Sequence, residues 1–407
     1  MHDQSFSEKN LLRLLIRGDV KEYGLGKTRS EYRAMLKQIA SKLNAAEFKF
    51  STLQSSKKSH GQVYTPSCVE DELALRKIND NLKRRFSVRT ADRNRIVPQI
   101  VTLAKEKGSF HLVKLDIQKF FESIHRESLL QRVLDDPLLS IRTKELLRKL
   151  FDLPALQTVK GLPRGLSVSS TLAEHCLQEF DAECRKLPFC YYYVRYVDDM
   201  LFFCHENPEN ISALVESFLP FELSLNPDKF AHIEMTKEGQ CVQGIGRTDR
   251  LSYLGYEFIF PTSTTNRLKV GIPEKKINKI KTRIVLALVD FTKSKDYSLL
   301  LHRIRFLSAN FKVAGNKVKG YLFSGIFYNH RYIDETSQES LNDLDLFLRS
   351  AVYAKKGTLG RRLSHILTNG QRHELCSNSL CIGHKKPKFR TFTNEQLKDI
   401  KKVWAHA

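Results

Sequence analysis

The chain has 407 residues, of which 41% are hydrophobic, so it is long enough for two or three packed lobes and too apolar to be disordered throughout. Lysine and arginine number 67 against 45 aspartates and glutamates, and the formal charge of +22 favours a polyanionic partner such as nucleic acid over a merely solvated basic surface. Composition therefore excludes a wholly disordered chain and indicates a class of partner, but it identifies no chemistry.

The location predicted from the sequence is the cytoplasm. Eight cysteines are spread through the chain without the spacing of a disulfide framework, which is typical of reduced thiols. The apolar segment LLRLLI is interrupted by Arg13 and has no cleavage pattern after it, so no signal peptide is predicted. No apolar run approaches the roughly 20 residues that cross a bilayer. We therefore expect a cytoplasmic protein with no membrane partner.

The N-terminal part is predicted to be mostly helical. Apolar residues recur at helical spacing over 30–43, and Ser30 is a suitable N-terminal cap. Residues 54–66 are polar and rich in turn formers, which predicts a loop. A dense basic stretch, LKRRFSVRTADRNRIV, follows at 82–97.

Short strands and helices then alternate between 110 and 260. The segments 110–117 and 191–203 are rich in β-branched and aromatic residues, which predicts strands. Residues 167–187 have the periodicity of a helix, and 251–260 predicts a further strand pair. Hairpins with helices on one face indicate an α+β fold and not a doubly wound parallel sheet.

The predicted elements after Pro273 are helices again. The segment 274–293 carries isoleucines on one face and lysines on another, so one face can pack while the other follows a nucleic-acid backbone. A solvated surface helix is the alternative. The chain from about residue 355 is polar, basic and rich in turn formers.

Three acids stand out because they lie in strongly apolar strands. Asp116 ends one predicted strand, and Asp198 with Asp199 interrupts another, YVRYVDDMLFF. Such charges are costly unless they are neutralised, and vicinal carboxylates repel each other. Mg²⁺ prefers carboxylate and phosphate oxygens, and two such ions could activate a hydroxyl and stabilise a leaving pyrophosphate. The alternative is that the acid pair is only a hairpin turn.

Five sequence blocks in a fixed order resemble those of reverse transcriptases. They are LDIQKFFESI (115–124), GLPRGLSVSSTLAEHCL (161–177), YVDD (196–199), LNPDKF (225–230) and YLGY (253–256). Each block alone is a weak signal, whereas their order over about 150 residues is specific. The resemblance implies an RNA-directed DNA polymerase with right-hand architecture: fingers, a ferredoxin-like palm and a helical thumb.

The resemblance also implies a domain division and a reaction. The division is an N-terminal helical extension with fingers at 1–109, a palm at 110–260, a helical thumb at 261–354 and a basic tail at 355–407. The reaction is deoxynucleotidyl transfer to a primer hydroxyl with two Mg²⁺ or Mn²⁺ ions. The implied partners are an RNA template, dNTPs and the DNA product.

Family roles carry over to particular residues. Asp116, Asp198, Asp199 and the backbone carbonyl of Ile117 match the metal ligands. Lys229 matches a lysine that assists near the leaving pyrophosphate, although a surface lysine is an equal alternative.

Two further positions match residues that contact the sugar and the primer. Phe121 matches the residue that crowds a ribose 2′-hydroxyl, which implies a preference for deoxynucleotides; a core phenylalanine is the alternative, and Phe120 beside it could fill that role. Gly255 matches the primer grip, where a glycine lets the primer backbone approach.

The sequence departs from the family at two positions, where Arg164 replaces a glutamine and Ser170 replaces a proline. Arg164 could contact the nucleotide or template phosphates, so strictly templated synthesis stays open. The basic stretch at 82–97 resembles the family's fingers hairpin loosely. Its candidates for binding the triphosphate are Arg85, Arg89 and Arg95, with solvated charge as the alternative.

The tail contains a compact group of metal-ligand types, His373, Cys376, Cys381 and His384. Zinc takes such ligands tetrahedrally, so a zinc knuckle is possible in principle, but a plain basic loop is the favoured interpretation. The basic and aromatic residues that follow would suit single-stranded RNA.

The kind of reverse transcriptase is indicated by what the chain resembles beyond the five blocks. About 50 residues follow the predicted thumb, so we expect neither an RNase H domain nor a maturase region. The opening DQSFS-x-KN resembles the smaller polymerase of type-three bacterial antiviral systems, which pair it with a second reverse transcriptase and a structured non-coding RNA. Template-independent DNA synthesis and a non-catalytic RNA-binding scaffold are the alternatives.

Overall fold

The computed structural model describes residues 2–58, 61–106, 108–313, 322–334 and 339–404. The helices of these residues are α1 (Glu8–Leu14), α2 (Arg17–Glu22), α3 (Arg29–Asn44), α4 (Val69–Arg85), α5 (Arg93–Lys105), α6 (Phe120–Ser123), α7 (Arg126–Asp135), α8 (Ile141–Phe151), α9 (Pro154–Gln157), α10 (Ser167–Cys176), α11 (Gln178–Arg185), α12 (Ile211–Phe218), α13 (Glu274–Ser294), α14 (Tyr297–Ser308), α15 (Ile326–Asn329), α16 (Glu339–Tyr353), α17 (Gly357–Ile366), α18 (Asn369–Cys376), α19 (Leu380–Lys385) and α20 (Asn394–Lys402).

The strands are β1 (Gln54–Lys58), β2 (Gly61–Thr65), β3 (Phe110–Asp116), β4 (Cys190–Tyr196), β5 (Asp199–Cys204), β6 (Ala231–Met235), β7 (Arg250–Tyr253), β8 (Tyr256–Ile259), β9 (Lys269–Gly271), β10 (Asn310–Val313) and β11 (Leu322–Gly325). A short 3-10 helix spans Pro227–Lys229.

The chain divides into two compact units. The first holds residues 1–96 and 110–234, and the second holds 97–109 and 235–407. Within the ranges that the structure describes, no helix combines the length and the apolar character that crossing a membrane requires.

The first unit is built on a four-stranded sheet with the order β4-β5-β3-β6. The strand β5 pairs antiparallel with both β3 and β4, and its apolar residues from Met200 to Cys204 are completely buried. Helices separate β3 from β4 and β5 from β6, which gives the strand and helix order of a ferredoxin-like unit. The predicted α+β class is therefore confirmed.

Most elements predicted from periodicity are confirmed with small shifts. The segment 110–117 is β3, 191–203 is the hairpin of β4 and β5, 251–260 is the hairpin of β7 and β8, and 274–293 is α13.

Two predicted helices differ from the structure in detail. The helix predicted over 30–43 is α3, but its N-terminal cap is Thr28, whose hydroxyl accepts a hydrogen bond from a backbone amide in the first turn. The helix predicted over 167–187 is two helices, α10 and α11, which meet at Leu177.

Two predictions about the N-terminal part are wrong. Residues 54–66 are not a loop, because β1 and β2 form an antiparallel hairpin there. Residues 82–97 are not a hairpin: α4 continues to Arg85, and α5 begins at Arg93. The hairpin was missed because every residue of β1 is exposed, so the strand has no apolar alternation to indicate it.

The opening segment is tied into the first unit by long-range hydrogen bonds. The side chain of Gln4 donates to the carbonyl of Leu138 (2.8 Å) and accepts from the amide of Ser140 (2.7 Å). Its own carbonyl accepts from the Asn81 side chain on α4 (3.0 Å), and the neighbouring Phe6 is 1% exposed. These contacts therefore hold the opening segment against α4 and the residues just before α8.

The second unit has its own apolar core. It contains the three-stranded sheet β7-β8-β9 and a helical core to which α13, α14, α16 and α17 contribute. The tail is helical where a turn-rich segment was expected, because α17, α18 and α20 bury apolar residues in this core. Trp404 is 6% exposed, and its indole N–H donates to the carbonyl of Arg283 (2.9 Å).

A polar contact beneath the opening segment should be important for stability. Asn81 is fully buried and donates to both the Gln4 carbonyl and the Thr143 hydroxyl (2.8 Å). We expect Asn81→Ala to lower the free energy of unfolding by about 1–3 kcal/mol, because buried acceptors lose their donor. Urea denaturation followed by circular dichroism measures this. The exposed Asn207→Ala is the control, and equal losses in both variants would contradict the assignment.

Candidate active site

The first of the three acids lies at the end of an internal strand. Asp116 is the last residue of β3 and is 1% exposed. It stands opposite Asp199 in the antiparallel pairing of β3 with β5. Because opposed residues of antiparallel strands project from the same face, the register places these two side chains side by side.

Asp198 lies in the turn between β4 and β5, which consists of Val197 and Asp198. Val197 has φ of +61°, a conformation that costs a β-branched residue about 1–3 kcal/mol. Both carbonyls of the turn are hydrogen-bonded. The amide of Ile117 donates to the carbonyl of Asp198 (3.1 Å), and the guanidinium of Arg195 donates to the carbonyl of Val197 (2.7 Å).

A buried ion network fixes Arg195 beneath this turn. Its guanidinium donates twice to Asp181 on α11 and once to Glu174 on α10, each at 2.8 Å. The hydroxyl of Tyr193 also donates to Asp181 (2.7 Å). Burial tends to lower the pKa of Arg195, but these carboxylates outweigh burial and raise it. The permanent charge of Arg195 thus links the turn to two helices.

Two lysines contact the candidate carboxylates. Lys229 Nζ lies 2.8 Å from each carboxylate oxygen of Asp116, and Lys114 Nζ lies 3.2 Å from Oδ1 of Asp199. Burial tends to lower the pKa of Lys229, yet the hydrogen bond to Asp116 and the neighbouring negative charges raise it overall. Lys229 therefore remains an ammonium group at neutral pH.

The carboxylates of Asp198 and Asp199 carry negative charge that the neighbouring lysines compensate only in part. Burial raises the pKa of Asp198, and the charge of Asp116 raises it further. Burial also raises the pKa of Asp199; Lys114 opposes this shift, and Asp198 adds to it. Since both pKa values lie above those of an unfolded chain, the ionised carboxylates destabilise the fold at neutral pH. This cost falls as the pH is lowered through the raised values.

The donor chemistry fits a hard divalent cation. The three aspartates offer only oxygen ligands, which Mg²⁺ and Mn²⁺ prefer, and a cation would relieve the charge that raises two of their pKa values. In the part of the chain that the structure describes, no three His, Cys, Asp or Glu side chains are grouped so as to hold a metal ion. Ligation by Asp116, Asp198, Asp199 and the Ile117 carbonyl therefore stays a prediction.

Arg164, which stands where the family has a glutamine, lies beside the aromatic pair Phe120 and Phe121. Phe120 is buried in the core, and Phe121 is half-buried. The guanidinium carbon of Arg164 lies 5.0 Å from the centre of the Phe121 ring, and the same group is ion-paired with Glu122. Ser170, the other departure, is exposed on α10.

The arginines predicted to bind the triphosphate do not form one group. Arg85 is bound by both carboxylate oxygens of Asp136 (2.8 and 2.6 Å), so its guanidinium fastens the end of α4. Arg89 lines a cavity of about 280 Å³ with Glu174 and other residues, and Arg95 is exposed on the first turn of α5. The backbone of 82–97 thus differs from the fingers hairpin that it loosely resembles, and a triphosphate role for Arg85, which stays a prediction, would require its guanidinium to leave Asp136.

The hairpin of β1 and β2 lies beside Arg164 instead. The amide of Tyr64 on β2 donates to the carbonyl of Arg164 (2.8 Å), and Val63 bridges the same residue. Lys57 and Lys58 on β1 are exposed. A signal for this hairpin existed in the sequence, since the Val-Tyr pair after Gly61 favours a strand.

The candidate primer grip lies in the second unit. Gly255 occupies the turn between β7 and β8 with φ of +78°, after Leu254 with φ of +46°. Its carbonyl accepts a hydrogen bond from Lys276 (3.1 Å). The glycine is therefore required by the backbone conformation, and its role at a primer stays a prediction.

The four candidate zinc ligands are not brought together as a metal site. His373 and Cys376 lie on α18, whereas Cys381 and His384 lie on α19. The segment between them is the capped start of α19, and His384 Nε2 hydrogen-bonds the carbonyl of His330 (2.9 Å). The zinc interpretation is therefore corrected, and so is the favoured basic loop, because the segment is helical.

Several residues of the site were missed in the sequence. Arg195, Glu174 and Asp181 support the turn, and Lys114 contacts Asp199. Arg195 and Lys114 had a local signal, because each is the one lysine or arginine in an apolar strand shortly before a candidate acid.

The sequence matches the reverse transcriptase (RNA-dependent DNA polymerase) family over residues 24–258, which is more than half of the chain. The chain therefore belongs to the reverse transcriptase family. The family is that of RNA-dependent DNA polymerases, which are nucleotidyltransferases, and the predicted enzyme class and polymerase fold are confirmed at that level. Reverse transcriptases generally use divalent metal ions.

Similar solved structures are yeast telomerases. Apo telomerase from Candida tropicalis truncated from its C-terminal domain has 10% identity and a TM-score of 0.38, with 56% of each chain covered. Telomerase from Candida albicans in complex with a TWJ fragment of telomeric RNA has 10% identity and a TM-score of 0.38, covering 92% of this chain and 68% of that one. The chain thus spans little more than half of the first of these. No curated protein sequence matches.

The Arg195 network should be essential to the fold. We expect Arg195→Met to lower the free energy of unfolding by about 3–5 kcal/mol, because Asp181 and Glu174 would remain buried without their cation. Chemical denaturation measures the loss. Arg148→Met on the exposed face of α8 is the matched control and should change stability by less than about 0.5 kcal/mol. A small effect at Arg195 would show that the network does not hold the turn.

The ionised carboxylates of Asp198 and Asp199 should lower the stability of the fold when no metal ion is bound. In metal-free buffer at neutral pH, the double variant Asp198→Asn, Asp199→Asn should melt at a higher temperature than wild type, because two carboxylates with raised pKa values are removed. The difference should shrink as the pH is lowered and the wild-type acids take up protons. Added MgCl₂ should stabilise wild type and leave the variant unchanged.

Differential scanning fluorimetry measures both effects. The exposed pair Glu206→Gln, Glu209→Gln serves as the control and should respond to MgCl₂ as wild type does. Equal stabilisation of the site variant by MgCl₂ would show that the ion binds elsewhere.

Proposed function

We propose that this chain is an RNA-directed DNA polymerase that extends a primer by two-metal-ion deoxynucleotidyl transfer. The observation that carries the proposal is the register of β3 and β5, which sets Asp116 against Asp199, with Asp198 in the adjoining turn. Divalent ions bound there would activate the primer hydroxyl and stabilise charge on the transferring phosphate. Family membership supports the same reaction.

The protein's own groups have distinct tasks in this proposal. Asp116, Asp198, Asp199 and the Ile117 carbonyl hold the ions, and Arg195 keeps the turn acids in place. Lys229, charged at neutral pH, supplies positive charge toward the departing pyrophosphate once it leaves Asp116.

The nucleotide and the primer are assigned to further residues. Phe121 excludes a ribose 2′-hydroxyl by its bulk, and Gly255 contacts the primer backbone. For the triphosphate, Arg89 and Arg95 remain candidates.

We further propose a role in bacterial antiphage defence. The support is the opening sequence DQSFS-x-KN, which resembles that of the smaller polymerase in type-three two-polymerase systems. The template would then be a structured non-coding RNA, the partner a second reverse transcriptase, and the location the cytoplasm. The net charge of +22 is consistent with an RNA-bound chain.

The decisive experiment is purification of the chain from its native host, followed by sequencing of the bound RNA and of any DNA product. The double variant Asp198→Ala, Asp199→Ala should retain the RNA and lose DNA synthesis by at least about 10³-fold, since the ions carry most of the transition-state stabilisation. Glu206→Ala, Glu209→Ala is the matched control and should synthesise as wild type does.

Each alternative has its own outcome. RNA without any DNA from wild type would favour a scaffold, and DNA whose sequence is independent of the RNA would favour untemplated synthesis. Full synthesis by the aspartate variant would refute the catalytic assignment. Loss of phage resistance in the same variant tests the defence role.

A further inference from the structure

The loop that precedes α10 is pressed onto the segment that carries Phe121. The amide of Leu162 donates to the carbonyl of Phe121 (2.8 Å). Gly161 has φ of +65°, and a Cβ there would lie 2.1 Å from the same carbonyl oxygen. Only glycine fits this contact, so the loop and the Phe121 backbone hold each other in one arrangement.

The other end of the loop is fixed on the hairpin of β1 and β2. The carbonyl of Arg164 accepts from the amide of Tyr64 (2.8 Å). Gly165 has φ of +97°, and a Cβ there would lie 2.4 Å from the Tyr64 carbonyl oxygen. The backbone of Arg164 is thereby held between two close contacts, and its side chain starts from a defined position.

The Arg164 side chain reaches back to the residue after Phe121. Its Nε lies 2.6 Å from one oxygen of Glu122 and a terminal nitrogen lies 3.1 Å from the other, which is a bidentate pair. Burial tends to raise the pKa of Glu122, but the hydrogen bond from Arg164, a backbone hydrogen bond and the nearby positive charges together outweigh burial and lower the pKa. Both groups are therefore charged at neutral pH.

The Phe121 ring lies between this pair and the core. Arg164 stands 5.0 Å from the ring centre, a cation–π distance, and the buried Phe120 meets the ring edge-on at 5.6 Å. The hydrogen bond to Glu122 is the main cause of the raised pKa of Arg164, and Asp198 contributes a further attraction. The pair is thus within electrostatic reach of the candidate catalytic turn.

We propose that Arg164 and Glu122 form a positioning pair that fixes the Phe121 ring and thereby sets the discrimination between deoxyribonucleotides and ribonucleotides. This inference rests on the proposed polymerase function. In this inference Arg164 acts through Phe121, since Nε and one terminal nitrogen of its guanidinium are bound to Glu122. Arg164, where the family has a glutamine, thus contributes to the selection of the nucleotide sugar.

The test is single-nucleotide primer extension by the full chain with matched dNTP and rNTP. In Glu122→Gln and Arg164→Met, the ratio of kcat/KM for dNTP to that for rNTP should fall by about tenfold or more, since small displacements beside reacting atoms change rates by up to about 10²-fold. Arg164→Lys should fall between wild type and Arg164→Met, because it keeps the charge but loses the bidentate fork.

Combined variants distinguish a role of Arg164 and Glu122 in positioning Phe121 from roles that do not involve Phe121. The double variant should show no larger loss than either single variant, and in the Phe121→Ala background Glu122→Gln should leave the ratio unchanged. The exposed pair Arg132 and Glu179 on the same unit is the control, and Arg132→Met, Glu179→Gln should keep the wild-type ratio. Melting temperatures verify that each variant is folded.

Other outcomes would overturn the inference. An equal rise of KM for dNTP and rNTP in Arg164→Met, with no effect in Glu122→Gln, would make Arg164 a direct nucleotide ligand. An unchanged ratio in Glu122→Gln would remove the pair from selection while the polymerase function stands. Failure of wild type to extend any primer would refute the proposed function, and this inference with it.

Discussion

A buried guanidinium holds a strained turn at the centre of the first unit. Val197 must adopt φ of +61° for the acids after it to stand at the end of the β4–β5 hairpin, and Arg195 binds its carbonyl. Asp181 on α11 and Glu174 on α10 hold Arg195 in turn. A shift of either helix against the sheet would loosen these bonds, so the position of the candidate catalytic acids is coupled to helix packing some way beneath them.

The two sides of the turn are treated differently by the fold. Below it, Arg195 is enclosed by partners that satisfy its charge. Above it, the carboxylates of Asp116, Asp198 and Asp199 meet the ammonium groups of Lys114 and Lys229, which leaves a formal charge of −1. A sheet in which β5 buries its residues from Met200 to Cys204 completely can carry this excess, because apolar burial offsets the cost of a few poorly compensated charges.

Sequence reasoning succeeded where the signal was local. The strands β3, β4, β5, β7 and β8 lie in segments predicted as strands, α13 follows from apolar periodicity, and the three acids are anomalous in their own strands. It failed where distant segments define the structure. The hairpin of β1 and β2 has an exposed first strand and docks on Arg164, about 100 residues away, and Glu122 meets Arg164 across 42 residues. The arginine assigned to phosphate, Arg85, was already committed to Asp136, which no local pattern could reveal.

The fastening of the opening segment has a consequence for how the first unit assembles. Gln4 bonds to Leu138 and Ser140, which follow it by 134 and 136 residues. During synthesis on the ribosome, the segment must wait for these partners with Phe6 exposed to water. Long-range closure of this kind slows folding, and the exposed apolar surface is open to chaperones or to aggregation in the interval. The last step of folding in this unit is thus expected to be the docking of its first residues.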